Sequence, residues 1–177
     1  LYRKNKITKD ELRATRFHDT LLAFEIDHPE LASKIDSEYI LKSPFKTHLF
    51  PHTHHVLEYL AKKYELHIIT NGFSEVQHIK IANCGLRDYF QEIICSEAIG
   101  KNKPDPEIFQ FALKLAKARA ENSIMIGDDY YADISGANQI GMQAILFKND
   151  NAANYSYENT IGNLNELPDL IMKLFRS

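Results

Sequence analysis

Residues 123–141 read SIMIGDDYYADISGANQIG and carry the clearest fold signal in the sequence. Ser123 to Asp128 form a short apolar run that predicts a buried strand, and further acidic side chains follow it at once. A helix is predicted from there to about Ile140, because Gly141 is the residue type that commonly ends one. A buried strand, an acidic turn and a helix in succession are typical of a parallel α/β sheet.

The alternation of strands and helices continues on both sides of this stretch. Strands are predicted at residues 66–70, 92–95 and 143–147. Helices are predicted at residues 53–64 and 167–175, from Ser74 to a stop at Gly85, and from Pro106 onward. Ser74 and Asp105 are predicted as N-caps of two of these helices, and Pro106 at the first helical position strengthens the second prediction. Strands that alternate with helices imply a parallel sheet covered on both faces. We therefore predict an α/β fold with a Rossmann-like parallel sheet.

The first fifty residues differ, because they contain no strand signal. Thr8 followed by Glu11 predicts a capping box at the start of a helix. A second helix is predicted from Pro29 to about Leu41, and Pro44 ends it. This region is predicted to be a small helical unit.

Composition sets limits on the class of protein. The 177 residues are 44% hydrophobic and 25% charged, close to globular averages, and are enough to bury a core. A net charge of -3 creates no field that would attract nucleic acid or an anionic membrane. Cys84 and Cys95 are too few for a disulfide framework, which favours a cytoplasmic setting. No apolar run is long enough to span a bilayer.

Thr70-Asn71-Gly72 follows directly after a predicted buried strand. A hydroxyl and free backbone N–H groups at a strand end that faces a helix start suit an anion such as phosphate. The alternative is an ordinary strand-to-helix turn that uses Asn-Gly for its backbone conformation. Both interpretations stay open at this motif taken alone.

Lys103 lies in the loop KNKPDP, between a predicted strand and a well-defined helix start. Pro104 stiffens the backbone behind it, so its ammonium group can offer a point charge to a phosphate or a carboxylate. The alternative is a lysine in a solvated loop.

Asp128 and Asp129, with Asp133 shortly after, follow the most apolar predicted strand. Carboxylates at the end of a buried strand are unfavourable unless a cation offsets them. Mg²⁺ prefers oxygen ligands and is the natural partner. The alternative is capping of the next helix by acidic residues.

These three stretches, each at the end of a different strand, together resemble the motifs of the haloacid dehalogenase-like (HAD) hydrolase superfamily. Thr70 matches its second motif, Lys103 in KPDP its third, and GDDYYAD its fourth. The segments KITKDELRATRF and LFPHTHHVLEYL resemble the cap and the re-entry segment of pyrimidine 5′-nucleotidase-like members. The resemblance extends over the whole chain, and predicts residues 1–47 as part of a helical cap and residues 48–177 as the α/β core.

The resemblance implies a role for each matching residue. Thr70 would donate its hydroxyl to the transferring phosphoryl group, and the backbone or side chain of Asn71, with Gly72, would assist in phosphate binding. Lys103 would contact both the phosphate and a nucleophilic carboxylate. Asp128 would ligate Mg²⁺ directly, and Asp133 would act through water or by orienting Lys103.

The sequence departs from the family pattern in one respect. The family's DxD motif, with its nucleophilic Asp on a first strand, has no match, because Asp27 belongs to the predicted helical cap and Asp36 lies within a predicted helix. The chain also opens at Leu1 without a Met. We therefore expect a core that lacks its first strand and a fragment that is inactive alone; the alternative is a natural relic. We also expect residues 66–70 and 124–128 to form parallel strands that do not pair directly with each other.

The leading functional hypothesis is hydrolysis of a small phosphomonoester, such as a nucleoside 5′-monophosphate, with Mg²⁺ and an aspartyl-phosphate. One alternative is 2-haloacid dehalogenation, which uses an Asp nucleophile without Mg²⁺ and is therefore not favoured by Asp128. The other is a non-catalytic protein that binds phosphate or a partner and has lost its nucleophile. A small phosphorylated substrate is the expected partner, and the sequence leaves the oligomeric state open.

Overall fold

A computed structural model of the protein describes residues 6–148 and 155–175, so Leu1 to Lys4 lie outside the described residues. The described helices are α1 (Lys9–Leu22), α2 (Pro29–Lys42), α3 (Thr53–Ala61), α4 (Ser74–Asn83), α5 (Pro106–Leu115), α6 (Gly136–Gln139) and α7 (Leu167–Leu174). The described strands are β1 (His67–Thr70), β2 (Glu92–Cys95), β3 (Ile124–Gly127), β4 (Gln143–Phe147) and β5 (Thr160–Ile161). Short 3₁₀ turns occur at Ser43–Phe45, Arg87–Tyr89, Ser96–Ala98, Ala120–Asn122 and Leu164–Glu166, and a π-helical turn at Tyr130–Ser135.

Among residues 6–148 and 155–175 all strand pairs are parallel, and they form two groups. β1 pairs with β2, and β3 pairs with β4, which in turn pairs with β5. The strands alternate with helices along the chain, which confirms the predicted α/β class. Within the described residues β1 and β3 are not hydrogen-bonded to each other, as we expected. Each of these two strands therefore has one edge without a described strand partner.

The strand β4 lies at the centre of the hydrophobic core. Ala144 and Leu146 pack on one face against α5 and the segment that contains Ile134. Ile145 and Phe147 pack on the other face, against α3 and α7. Successive side chains of a strand point to opposite faces of a sheet, so this run of apolar residues requires a helix layer on each side.

The helices α1 and α2 form a helical unit that is joined by an ion pair and by an aromatic contact between Phe17 and Tyr39, whose ring centroids are 5.6 Å apart. The predicted capping box at Thr8 and Glu11 is confirmed. The Arg16 guanidinium donates to Asp36 at 2.7 Å, which joins α1 to α2. No described side chain of α1 is buried, and α2 buries only Ala32. The unit therefore gains little from hydrophobic burial against the core.

Several boundaries differ from the sequence predictions. The helix α3 ends at Ala61 rather than Tyr64, and Ser74 is the first residue of α4 rather than its N-cap, which is Phe73. The strand β5 was not predicted, because two residues are too short to give a periodic signal. None of the described helices has the length and apolar composition that a membrane span requires.

The π-helical turn replaces the first part of the helix predicted after β3. The Asp129 side chain accepts the N–H groups of Tyr131 and Ala132. The Asp129 carbonyl accepts the N–H of Asp133 at 2.8 Å and that of Ile134 at 3.4 Å. This double acceptance widens the turn, a local effect that hydrophobic periodicity does not encode.

Candidate active site

The turn after β1 and the Lys103 loop are joined by a reciprocal pair of hydrogen bonds. The Asn71 side-chain amide donates to the Lys103 carbonyl at 3.0 Å, and the Lys103 backbone N–H donates to Asn71 Oδ1 at 2.7 Å. The two residues are 32 positions apart in the sequence. Asn71 therefore fixes the position of the loop relative to the carboxyl end of β1.

The Lys103 ammonium group lies inside this junction rather than in solvent. Its Nζ donates to the Ile69 carbonyl at 2.8 Å and to Asp133 Oδ1 at 2.6 Å. The side chains of Lys103 and Asp133 are only 11% and 5% exposed. An ammonium group has three N–H donors, so these two bonds leave one for another acceptor at the carboxyl edge of the strands. The solvated-loop alternative for Lys103 is wrong, because the side chain is buried and paired.

The loop that carries Lys103 is held by the start of α5. Asp105 is the N-cap of this helix, as predicted, and its Oδ1 accepts the Glu107 N–H at 3.0 Å. Gly136 lies so close that a Cβ there would be 3.0 Å from the Pro104 Cα. This close approach needs a glycine, and it presses the loop against α6.

Thr70 ends β1 with its hydroxyl oxygen already used as an acceptor. Its Oγ1 accepts the Gly72 N–H at 3.0 Å. This hydrogen bond is typical of an ordinary strand-to-helix turn, and it leaves the hydroxyl proton of Thr70 available for donation. An ordinary turn and a phosphate-binding turn are therefore compatible at this motif. The Asn71 side chain is committed to Lys103, so only its backbone is left to assist a phosphate.

The three acidic residues after β3 have different environments. Asp133 is buried, and its Oδ2 accepts the Asp129 N–H at 3.1 Å while Oδ1 accepts from Lys103. Asp129 caps the π-helical turn. Asp128 follows the last residue of β3 and is exposed, and it makes no hydrogen bond or ion pair within the described part of the chain. Of the three carboxylates at this strand end, Asp133 alone is buried, and Lys103 is the cation that offsets its charge.

The backbone at Gly127 passes directly over the Asp133 carboxylate. A Cβ built on Gly127 would overlap the Oδ2, Cγ and Cβ atoms of Asp133. Glycine at this position is therefore required for Asp133 to reach Lys103. The structure thus brings the ends of β1 and β3 and the Lys103 loop together around one ion pair.

The paired tyrosines after the acidic turn belong to an aromatic cluster. Tyr130 stacks on Tyr155 with ring centroids 4.7 Å apart, and it meets Tyr157 edge-on at 6.1 Å. Tyr131 contacts Tyr155 edge-on at 5.5 Å and stays 61% exposed. The cluster attaches the chain segment before β5 to the π-helical turn.

The two aspartates weighed as nucleophiles lie in the helical unit. Asp27 Oδ1 is 3.1 Å from His18 Nε2, and Asp36 pairs with Arg16. Neither contacts Lys103 or the turn after β1 in the described structure. Asp27 is an exposed hydrogen-bond partner of His18, and Asp36 is a partly buried ion-pair partner of Arg16.

Glu97 contributes to the site region and was not predicted. Its Oε2 accepts the Ser74 N–H at 2.6 Å, at the start of α4, where no helix residue provides a side-chain cap. A carboxylate at this end of a helix satisfies an otherwise unpaired N–H. Sequence gave no signal for this contact, because Glu97 is 23 residues away from Ser74.

Comparison with known proteins gives a consistent result. A family model described as haloacid dehalogenase-like hydrolase matches residues 7–147. The chain is 41% identical over 85 residues to the glyceraldehyde 3-phosphate phosphatase of Pyrococcus abyssi. The aligned residues make up 48% of this chain and 36% of that protein. It is 31% identical over 155 residues to the pyrimidine 5′-nucleotidase PynA of Streptococcus pneumoniae, with 85% of this chain and 64% of that protein covered.

A solved structure shares the fold over most of the chain. The HAD-hydrolase YfnB of Bacillus subtilis, in a crystal form bound to magnesium, superposes with a TM-score of 0.83 and 26% identity. The match covers 96% of this chain and 75% of that one. The chain spans 36% and 64% of the two curated relatives described above.

Proposed function

This chain belongs to the haloacid dehalogenase-like hydrolase family, and from that premise we propose that it supplies the phosphate-binding and metal-binding residues of a phosphomonoester hydrolase. Thr70, the backbone of Asn71 and Gly72, and Lys103 bind the phosphoryl group. Asp128 is the metal ligand from this chain, and Asp133 orients Lys103. The proposal is supported by the relatives, one of which is a glyceraldehyde 3-phosphate phosphatase and another a pyrimidine 5′-nucleotidase.

The observation that carries the proposal is the position of the Lys103 ammonium group. Two of its three N–H donors are fixed by Ile69 and Asp133, so the third has a defined direction. A buried ion pair that serves stability alone is often no better than an apolar replacement. Here the pair lies at the carboxyl ends of parallel strands, where such folds bind their ligands. A preorganised cation at that edge suits the developing charge of a phosphoryl transfer.

A strand that pairs with both β1 and β3 completes the proposed site. Each of the two strands has one edge without a partner among the described residues, and Ile126 of β3 is 36% exposed. A central strand would cover these edges, and its carboxyl end would lie beside Lys103. The nucleophilic aspartate is proposed to lie on that strand. Lys103 would then hold the aspartate and the phosphate close together despite their like charges.

In the proposed reaction the aspartate oxygen attacks phosphorus, the bond between phosphorus and the ester oxygen breaks, and the leaving oxygen takes a proton from solvent to become an alcohol. Water then attacks phosphorus, the bond between phosphorus and the aspartate oxygen breaks, and the free aspartate and inorganic phosphate are released. In this scheme Thr70 and Lys103 donate hydrogen bonds to the phosphoryl oxygens, whose charge they stabilise in both steps.

The residues present fit a magnesium ion in part. Mg²⁺ is commonly held by one or two carboxylates together with waters and phosphate oxygens. Asp128 is exposed and makes no hydrogen bond or ion pair among the described residues, whereas both oxygens of Asp133 already accept hydrogen bonds. No group of three potential metal-binding side chains occurs within residues 6–148 and 155–175. We therefore assign one ligand, Asp128, to this chain, and the bound ion would supply positive charge beside the phosphoryl oxygens.

The proposed substrates are small phosphate esters, with nucleoside 5′-monophosphates first and sugar or triose phosphates second. The match to a pyrimidine 5′-nucleotidase over 85% of this chain supports the first group. The match to a glyceraldehyde 3-phosphate phosphatase over 48% of this chain supports the second.

The test uses protein expressed from its complete gene and a panel of nucleoside monophosphates, sugar phosphates and 2-haloacids. We expect phosphate release that stops with EDTA and returns with Mg²⁺. Asp128→Ala should lower kcat by at least about a hundredfold, because it removes the ligand that holds the charge beside the phosphoryl group. Halide release with full activity in EDTA would instead establish the dehalogenase alternative. No turnover of any compound would favour the non-catalytic alternative.

A further inference from the structure

Lys9, the first residue of α1, reaches across to the α/β core. Its Nζ lies 2.7 Å from Glu75 Oε1 and 2.9 Å from Glu97 Oε1. The ammonium group also lies 4.6 Å from the centroid of the Phe73 ring. We call Lys9, Phe73, Glu75 and Glu97 the Lys9 cluster. The cluster joins residues 66 and 88 positions apart, so it is a tertiary contact between the helical unit and the core.

The Lys9 cluster continues to the proposed phosphate turn. Glu97 binds Lys9 with one oxygen and accepts the Ser74 N–H with the other, at 2.6 Å. Ser74 is the first residue of α4 and follows Gly72 by two positions. Glu97 therefore fixes the point where the turn after β1 enters its helix. A shift of the Glu97 carboxylate would change the direction in which that turn presents its N–H groups.

The contact between α1 and the core is ionic rather than hydrophobic. None of the described α1 side chains is buried. Beside the Lys9 cluster lies a cleft of about 360 Å³, lined by Lys6, Thr8 and Glu11 of the helical unit and by Ser96, Glu97 and Asn102 of the core. Asn102 immediately precedes Lys103. Partly exposed ion pairs of this kind are weak, because water and salt screen their charges and ordering two long side chains costs entropy.

We propose that Lys9 is a positioning residue that aligns the phosphate turn when the helical unit is docked on the core. With Lys9 in place, Glu97 is held on the Ser74 N–H and the turn formed by Thr70, Asn71 and Gly72 is fixed. When α1 moves away, Glu97 loses its cation and the turn loosens. This inference rests on the proposed function, since it assigns the turn to phosphate.

The charges within the cluster favour the docked arrangement. Burial lowers the pKa of Lys9, but its hydrogen bonds to Glu75 and Glu97 outweigh that effect and raise the pKa. The hydrogen bond from Lys9 lowers the pKa of Glu75. The raised pKa of Lys9 and the lowered pKa of Glu75 keep these two partners charged near neutral pH.

The test compares Lys9→Met with Lys9→Arg in protein expressed from its complete gene. The first measurement is amide hydrogen exchange of α1 and of Ser74, which requires no catalysis. We expect exchange about three- to tenfold faster in Lys9→Met, the range that follows from losing two partly exposed ion pairs. Lys9→Arg should restore most of the protection, because it keeps the charge.

Matched controls separate docking from general stability. Lys62→Met removes an exposed pair within α3, and Arg16→Met removes a pair inside the helical unit. Neither should change the exchange of Ser74. Glu75→Ala should affect α1 alone, whereas Glu97→Ala should affect both α1 and Ser74, because only Glu97 contacts the Ser74 N–H.

The second measurement is steady-state kinetics against NaCl concentration. We expect kcat/KM to fall about three- to tenfold in Lys9→Met, with recovery in Lys9→Arg and a weaker salt dependence than in the unsubstituted protein. Unchanged Ser74 exchange in Lys9→Met would overturn the proposal, and so would faster exchange with unchanged kinetics. If exchange changes as expected but no variant or parent hydrolyses phosphate, the docking contact stands and the proposed function is wrong.

Discussion

Replacing Asp133 by Asn tests the ion pair on which the candidate site is built. The Asp133 and Lys103 side chains are 5% and 11% exposed, and their charged atoms are 2.6 Å apart. Asn keeps the shape of the side chain but removes its charge, so the Lys103 ammonium group stays buried with only neutral acceptors. Removing one partner of a buried pair typically costs about 3–5 kcal/mol, and the amide oxygen of Asn recovers part of this. We expect Asp133→Asn to lower the free energy of unfolding by about 2–4 kcal/mol.

The assay is equilibrium unfolding in urea, followed by circular dichroism. With a slope of roughly 2 kcal/mol per molar urea, the expected loss shifts the midpoint by about 1–2 M. Glu58→Gln is the matched control, because it neutralises a carboxylate in an exposed pair with Lys62 and should leave the midpoint unchanged. A double variant, Lys103→Met with Asp133→Leu, should be less destabilised than Asp133→Asn, since it leaves no unpaired charge.

The result that would refute this reasoning is a midpoint for Asp133→Asn within about 0.2 M of the parent, which is well below the expected shift. Lys103 would then not depend on Asp133 for its burial, and its orientation would need another cause. A double variant as unstable as the sum of its single variants would also contradict the reasoning. It would show that the two side chains contribute independently.

Two further predictions concern the same region and the Lys9 cluster. Gly127→Ala should lower Tm by about 5–10 °C, because the added Cβ would overlap the Asp133 carboxylate. The control is Gly162→Ala, since no atom lies within 4 Å of a Cβ at that position. Equal Tm values for the two variants would contradict the overlap. The pKa of Glu75 is lowered first by its hydrogen bond from Lys9, then by a backbone hydrogen bond and by the charge of Lys9. The ion pair is therefore complete above the ordinary glutamate pKa of about 4.3 and is lost as pH falls through the lower folded value. Amide exchange of α1, corrected for intrinsic rates, should therefore accelerate only below about pH 4, and acceleration beginning above about pH 5 would exclude Glu75 as the titrating group.

The sequence was informative wherever a strong local pattern coincided with a strand end. Apolar runs located the strands that end at Thr70 and before Asp128, and Asp105 with Pro106 located the start of α5. Strand ends of one parallel sheet meet at one edge, so the meeting of these turns with the Lys103 loop followed from topology alone. The roles assigned to these side chains stay predictions.

Contacts between residues that are far apart in the sequence could not be predicted from local sequence patterns. The reciprocal hydrogen bonds between Asn71 and Lys103 join residues 32 positions apart. The hydrogen bond from the Ser74 N–H to Glu97 at the start of α4 joins residues 23 positions apart. Neither contact produces a local sequence pattern. The different burial of the acidic residues after β3 was also beyond what the sequence could predict. Residue type indicates that a carboxylate is present, whereas only the path of the backbone after β3 shows that Asp133 turns inward and Asp128 outward.

The unpaired edges of β1 and β3 bear on solubility as well as on chemistry. In the described structure each edge presents backbone N–H and C=O groups beside the apolar runs HIIT and IMIG, which carry no acidic or lysine side chain. Exposed edges of this kind are templates for strands from other molecules, and natural proteins protect them with charges, proline or a covering segment. The proposed central strand would therefore act as a safeguard against self-association. Any change that displaced it would produce aggregates during expression before a loss of catalysis could be measured.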